Sequence, residues 1–177
     1  MTDGLTLKAG EGNRITVGGL RVDVKVSATE TTLTSTFEVV VPPRFDVGAH
    51  RHEGTEELFY VLSGELDLLA FEPISLAGEN WTDWRSASGQ RVLRAGAGSM
   101  IFVPSGCPHA FANPTTTDAT MLFQASPSGH EEYFQELSAL LADRTPDPRA
   151  IVELREKYGI EQITAITTGS STADSAS

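Results

Sequence analysis

The stretch that decides the fold covers residues 48–64 and reads GAHRHEGTEELFYVLSG. Its two histidines, His50 and His52, are two positions apart. Residues i and i+2 of an extended chain project to the same face, so both imidazoles can point at one place. Glu57 follows and opens an apolar run, residues 58–62, with the composition of a β-strand.

A second stretch lies further along the chain, where residues 98–113 read GSMIFVPSGCPHAFAN. Its histidine, His109, follows a tight Pro-Ser-Gly turn and begins another short apolar run. Three imidazoles and a carboxylate suit a divalent first-row metal, which could be Fe, Mn, Ni, Cu, Co or Zn. We therefore interpret the two stretches together as one metal site inside a β-barrel.

The spacing in both stretches resembles the two sequence motifs of the cupin family. The first stretch has HxH, four residues, Glu, six residues and Gly; the second has Gly, five residues, Pro-x-Gly, two residues, His, three residues and Asn. The resemblance implies a mainly β fold, the cupin jelly-roll barrel (a double-stranded β-helix), followed here by a helical segment. It also implies that the metal ligands are His50, His52, Glu57 and His109.

Glu56 is the alternative carboxylate for this site. It comes one residue before Glu57, so on a strand its side chain would face the opposite way. The six-residue spacing to Gly64 also favours Glu57.

Three other residues carry chemistry that the motifs leave open. Cys107 lies close to His109 but is predicted to be a small buried hydrophobic residue. Asn113 is predicted to support a turn through side-chain hydrogen bonds. His130 follows Ser-Gly before a helical pattern and is predicted to be exposed rather than catalytic.

Composition excludes several classes of protein. A chain of 177 residues suits one domain with a sizeable core. A net charge of −11 argues against binding to nucleic acid or to an anionic membrane surface. The single cysteine allows no internal disulfide. No apolar run is long enough to cross a bilayer and the N-terminal residues lack the pattern of a signal peptide, so we expect a cytoplasmic protein.

The pattern along the chain predicts four regions. Residues 1–13 form a lead-in, residues 14–128 the barrel, residues 129–163 helices packed on the barrel, and residues 164–177 a disordered tail. The barrel region shows the alternation of half-buried strands, and residues 131–141 show helical spacing. The tail is rich in Thr, Ser, Ala and Gly. The helical pair resembles the C-terminal segment of quercetinase-like bacterial monocupins.

Residues 72–90 break the strand pattern and hold both tryptophans, Trp81 and Trp84. One interpretation is a surface loop that the tryptophans pin to the barrel. The other is a lid near the barrel mouth. We favour the loop, because a long ordered loop need not be catalytic.

Strand parity also predicts a substrate pocket. Phe59 and Val61 share the face of Glu57, and Phe111 shares the face of His109. These three side chains would make the surroundings of the metal partly apolar. They would also serve as barrel core, since a small barrel is core at one end and pocket at the other.

Three functions are compatible with such a site. The resemblance to quercetinase-like cupins implies a dioxygenase-type oxidoreductase, in which Glu57 is both ligand and catalytic proton acceptor for an enol or phenolic substrate. A non-redox metal-dependent cyclase or isomerase, acting on a polyketide-like or sugar substrate, is the second. A non-catalytic metal- or small-molecule-binding cupin is the third. Acyl transfer is disfavoured, because three of the histidines would be metal ligands and no Ser-His-Asp catalytic triad can then be assembled.

The predicted partners are a small-molecule substrate and a second copy of the chain. The N-terminal strand at residues 20–26 would leave an unpaired edge in a monomer. Cupins commonly associate through such edges, so we expect a homodimer.

Overall fold

The computed structural model describes residues 3–76, 80–142 and 148–166. Its strands and α-helices are β1 (Asn13–Val17), β2 (Leu20–Val26), β3 (Ser35–Val41), β4 (His50–His52), β5 (Glu56–Ser63), β6 (Glu65–Ala70), β7 (Leu93–Gly96), β8 (Met100–Val103), β9 (His109–Ala112), β10 (Ala119–Ser126), α1 (His130–Leu141), α2 (Pro148–Lys157) and β11 (Ile160–Gln162). One sheet has the order β1-β2-β3-β10-β5-β8 and the other β11-β4-β9-β6-β7. The expected mainly β fold with a C-terminal helical segment is confirmed. No helix in the described ranges is long and apolar enough to cross a membrane.

The core between the sheets is organised around a row of aromatic rings. Phe123 of β10 lies in register with Phe37 of β3 on one side and with Phe59 of β5 on the other. The ring of Phe123 stacks on Phe59 at 4.9 Å and on Phe37 at 5.2 Å between centroids. Burying each of these side chains contributes about 1.5–3 kcal/mol to stability. Phe59 and Phe123 of this row also line the cavity described below.

Strand β2 lies inside its sheet rather than at an edge. It pairs with β1 on one side and with β3 on the other. The reason given above for a dimer through residues 20–26 is therefore wrong, because this strand has no free edge. The outer strands of this sheet are β1 and β8.

The loop before β7 is pinned to the outside of the barrel. Trp81 and Trp84 are buried, and the Trp81 Nε1 donates a hydrogen bond of 2.9 Å to the carboxylate of Asp46. The tryptophans pack in one cluster with Ala49, Leu69, Phe71, Ala110 and Ala112. In the second sheet these residues alternate with the ones that face the barrel interior. The described part of the loop therefore confirms the pinned-loop interpretation and not the lid; residues 77–79 lie outside the described residues.

The C-terminal segment ends in a strand that the sequence pattern did not predict. Helices appear where helical spacing was found, but residues 160–162 form β11 and pair with β4. The chain turns at Gly159, which has a φ of 66°, and then extends along the edge that β4 would otherwise leave open. Thr164, placed in the predicted disordered tail, is buried and accepts a hydrogen bond of 2.7 Å from the Ala49 amide. Residues 167–177 lie outside the described residues.

Candidate metal centre

Strand β4 aims both of its histidines into the barrel. His50 and His52 are buried, whereas Arg51 between them points outward and forms an ion pair with Glu161 at 2.8 Å. This is the alternation expected of an extended chain. The partner strand β11 holds β4 in this orientation on its outer side.

Strand β9 brings His109 to the same place. His109 pairs directly with His50 in the register of β4 and β9. The two imidazole rings lie 4.2 Å apart, and the ring of His52 lies 5.2 Å from that of His109. The potential ligand atoms of the three histidines all lie within 4.8 Å of one another. They could therefore hold a single metal ion.

Glu57 reaches the histidines from the other sheet. Its side chain is 3% exposed, whereas Glu56 on the opposite face of β5 is exposed, as parity predicted. The Glu57 Oε2 lies 2.9 Å from the Nε2 of His109, and its Oε1 lies 3.5 Å from the Nε2 of His52. The four predicted ligands thus come together from three separate strands.

Backbone carbonyl groups set the orientation of two of the imidazoles. The Nδ1 of His50 lies 2.8 Å from the carbonyl oxygen of Gly48, and the Nδ1 of His109 lies 3.0 Å from that of Cys107. A carbonyl can only accept, so each Nδ1 carries the proton and each Nε2 keeps a free lone pair. Such partners are typical of metal-binding histidines.

Gly48 also lets the C-terminal segment approach the metal site. Its φ is 70°, and a Cβ at this position would lie 2.6 Å from the carbonyl oxygens of Thr164 and Ala165. A side chain would therefore displace either the segment that covers β4 or the carbonyl that orients His50.

The electrostatics of the site favour neutral imidazoles at His50 and His52 and an ionised carboxylate at Glu57. Burial lowers the pKa of His52 to about 3, and burial together with the neighbouring His109 and His52 lowers that of His50 well below its usual range. Burial would raise the pKa of Glu57, but the adjacent His109 outweighs it and the net direction is down. Burial likewise would lower the pKa of His109, yet the Glu57 carboxylate raises it overall.

These donor atoms fit a divalent metal ion. The Nε2 atoms of His52 and His109 are buried and form no hydrogen bond within the described part of the chain. The His109 Nε2 and the Glu57 Oε2 face each other across 2.9 Å, an arrangement that a positive charge stabilises, either as a proton on the Nε2 or as a metal ion bound to both atoms. A metal ion bound to these atoms would supply that charge and satisfy the orphaned nitrogens.

His130 lines the cavity beside the candidate metal site, a position that the sequence analysis did not predict. Expected to be exposed, it instead turns inward from the start of α1, with its ring 5.7 Å from that of His52 and 4.8 Å from that of Phe134. With His52 and Glu57 it forms a second group that could hold a metal ion. Helical spacing could have predicted this inward position, because His130 lies three residues before Tyr133 and four before Phe134, on the buried face of the helix.

Asn113 closes the second motif and has the structural role expected of it. Its Nδ2 donates hydrogen bonds to the carbonyl oxygens of Val41 and Thr117, at 2.9 and 2.8 Å. Its Oδ1 accepts hydrogen bonds from the amide and hydroxyl of Thr115. These bonds stabilise the turn that follows β9.

The metal site opens on a cavity of about 270 Å³ between the barrel and the C-terminal segment. Phe59 and Phe111 line it, as predicted. Val61 is buried in the core but does not line the cavity, since it lies four residues along β5 from Glu57, about 13 Å away. The remaining wall comes largely from α1, α2 and the residues after them: His130, Tyr133, Phe134, Leu137, Leu141, Ile151, Arg155, Ile160 and Ile166.

Comparison with known proteins identifies the family. The model of the Cupin family matches residues 15–151 of the chain. The chain belongs to the cupin family. The 177 residues contain one pair of cupin motifs, and the described ranges form one barrel. The comparison with curated proteins found no match.

Solved structures of other cupin-fold proteins resemble this cupin. KdgF from Halomonas sp. is 15% identical, with a TM-score of 0.56, over 73% of this chain and 99% of that one. A predicted oxalate decarboxylase from Thermotoga maritima is 23% identical, with a TM-score of 0.51, over 70% and 99%. The polyketide cyclase RemF from Streptomyces resistomycificus is 19% identical, with a TM-score of 0.54, over 71% and 81%. At these identities the likeness shows the cupin fold and does not single out quercetinase-like cupins.

Proposed function

We propose that this cupin is a metal-dependent enzyme that acts on a small organic metabolite, and that its reaction is of the dioxygenase type on an enol or phenolic substrate. One observation carries the proposal. Three buried imidazoles and a carboxylate open on an apolar cavity, and two of the imidazole nitrogens have no hydrogen-bond partner within the described residues.

The cavity favours a flat, largely apolar substrate. Its volume of about 270 Å³ is near the lower end for small-molecule sites. Phe59, Phe111 and Phe123 supply aromatic surface on the barrel side, and Phe134 supplies it from α1. A sugar would leave several hydroxyl groups without partners against such walls, which costs binding free energy. A phenol or cyclic enol would not.

The chain's own residues would have distinct roles in this reaction. A divalent metal bound by His50, His52, Glu57 and His109 would supply Lewis-acid or redox chemistry at a substrate oxygen. Glu57 lies beside the metal position, 2.9 Å from the His109 Nε2, so its carboxylate is placed to accept the proton of an enol or phenol bound there. The aromatic walls would hold the substrate ring and exclude water.

A non-redox cyclase or isomerase is the second candidate. The same carboxylate could remove a proton next to a carbonyl group that a Zn-type centre polarises. The apolar walls suit a polyketide-like substrate better than a sugar. The two candidates differ in the metal and in the need for O₂.

Metal analysis combined with O₂ uptake tests the proposal. Protein purified without oxygen should contain a redox-active metal, and a panel of small phenols and cyclic enols should include compounds that cause O₂ uptake. The His52→Ala protein is the matched control and should show neither. Zinc as the native metal, together with no uptake from any compound, would contradict dioxygenase chemistry and favour the second candidate.

We also propose a homodimer through the outer face of β5 and β8. Tyr60 and Leu62 of β5 and Met100 and Phe102 of β8 are exposed, and β8 is an edge strand of its sheet. An apolar edge strand is a template for pairing with a second copy. Light scattering should give a dimer mass for the wild type and a monomer mass for Phe102→Lys, with Leu33→Lys as a control at an exposed site elsewhere. A wild-type monomer at every concentration would contradict the proposal.

A further inference from the structure

Arg155 is a buried cation in the wall of the cavity. It belongs to α2, is 4% exposed, and lines the cavity that His50, His52 and Glu57 also line. Arginine is almost never fully buried unless it is paired. A guanidinium buried at this position is therefore expected to have a charged partner.

The described residues do not supply a charged partner. The guanidinium lies close to the hydroxyl of Tyr133, but its Nε and Nη1 are buried with no hydrogen-bond partner within the described ranges. No carboxylate in those ranges forms an ion pair with it. Among the described residues, Glu57 is the only acidic one that lines the cavity, and it lies against the Nε2 atoms of His52 and His109. An unpaired buried charge strongly destabilises a folded protein. A bound anion beside Arg155 would therefore lower this free-energy penalty.

Binding of a divalent metal ion would make the cavity positive in a strongly acidic protein. Arg155 is close enough to His50 and His52 for its charge to oppose their protonation. With a divalent metal ion bound, the metal and Arg155 would together carry three positive charges, against one negative charge from Glu57. The chain as a whole has a net charge of −11, so the cavity would then differ in sign from the protein as a whole.

We propose that Arg155 binds an anionic group of the substrate, a carboxylate or a similar oxyanion, while the substrate's enol or phenol oxygen faces the metal position. The free Nε and Nη1 can bind two oxygens of one planar anion, as guanidinium–carboxylate pairs do. Tyr133 positions the guanidinium. This inference rests on the proposed function and narrows its substrate class to small aromatic or enolic acids.

Binding of a matched pair of probes tests the inference. 3-Hydroxybenzoate and its neutral analogue 3-hydroxybenzamide have nearly the same shape and differ in the charge of one group. Zinc-loaded wild-type protein should bind the acid about ten- to hundredfold more tightly than the amide, because a buried hydrogen bond to a charged group is of that strength. Arg155→Met should remove this preference and leave the weaker amide affinity nearly unchanged.

The controls separate charge, geometry and folding. Lys157→Met removes a positive charge from the same helix but at an exposed site paired with Glu136, so it should keep the preference. Arg155→Lys keeps the charge but not the two-pronged geometry and should retain only part of the preference. The comparison of acid with amide in the wild type needs no variant, so it holds even if Arg155→Met fails to fold.

Several outcomes would overturn the inference. They are equal binding of the two probes to the wild type, no binding of either, and a full preference for the acid in Arg155→Met. The last result would place the anion on the metal instead. Zinc does not turn over O₂, so this measurement can fail while dioxygenase activity is found, and can succeed while dioxygenase activity is absent.

Discussion

Replacing either His52 or His109 with alanine is expected to remove most of the bound metal. Each imidazole is buried and offers an Nε2 with no hydrogen-bond partner among the described residues. Loss even of a group that only supports a ligand typically costs ten- to a hundredfold in metal affinity, so loss of a ligand should cost at least about a hundredfold. Elemental analysis of metal per chain, after dialysis against a weak chelator, measures the effect.

The matched control for this experiment is His130→Phe. His130 packs against Phe123, Phe134 and Tyr133, so phenylalanine suits its surroundings. If the metal is held by His50, His52, His109 and Glu57, this variant keeps its metal. Full retention in both alanine variants would defeat the ligand assignment. Loss of metal from His130→Phe would move the site to the second group, which contains His52, Glu57 and His130.

Glu57→Gln is expected to separate metal binding from turnover. Glutamine keeps an oxygen that can coordinate a metal but cannot accept a proton as a carboxylate does. We expect the variant to retain a substantial fraction of its metal and to lose turnover by roughly a hundred- to ten-thousand-fold, the usual value of general-base catalysis. Metal content and kcat, measured on the same preparation with an identified substrate, check this.

Glu56→Gln provides the control for the loss of a negative charge. Glu56 is the neighbouring residue on the exposed face of β5, so this change should affect neither metal content nor kcat. A metal-replete Glu57→Gln protein with nearly normal turnover would show that Glu57 is a ligand only. That result would favour the non-redox cyclase or isomerase over the dioxygenase reaction.

The inward-facing donors of the metal site could be predicted because they depend on local geometry. The alternation of an extended chain places His50 and His52 on one face, and it places Glu57 and not Glu56 inside. The hydrogen bonds of Asn113 were predictable for the same reason, since an amide side chain at a turn bonds to nearby backbone.

The far wall of the cavity could not be predicted, because it depends on contacts between distant parts of the chain. The spacing around His130 showed a helix but not that its buried face would cover the mouth of the barrel. Arg155 follows no motif, and nothing local indicates that a charged residue of α2 is buried. Residues 160–162 are too short a run to reveal a strand, and they become one only because β4 offers an open edge. Parity placed Val61 on the inner face but carried no information about how far the cavity extends.

Anomalous diffraction from a crystal of the metal-loaded protein, recorded at the absorption edge of the metal found by elemental analysis, tests the central claim most directly. The claim is that one divalent metal is held by His50, His52, Glu57 and His109. We expect a single anomalous peak at about 2.0–2.2 Å from the Nε2 atoms of the three histidines and from one carboxylate oxygen of Glu57. A peak bound by His130 in place of His50 and His109, or no peak at these residues, would contradict it.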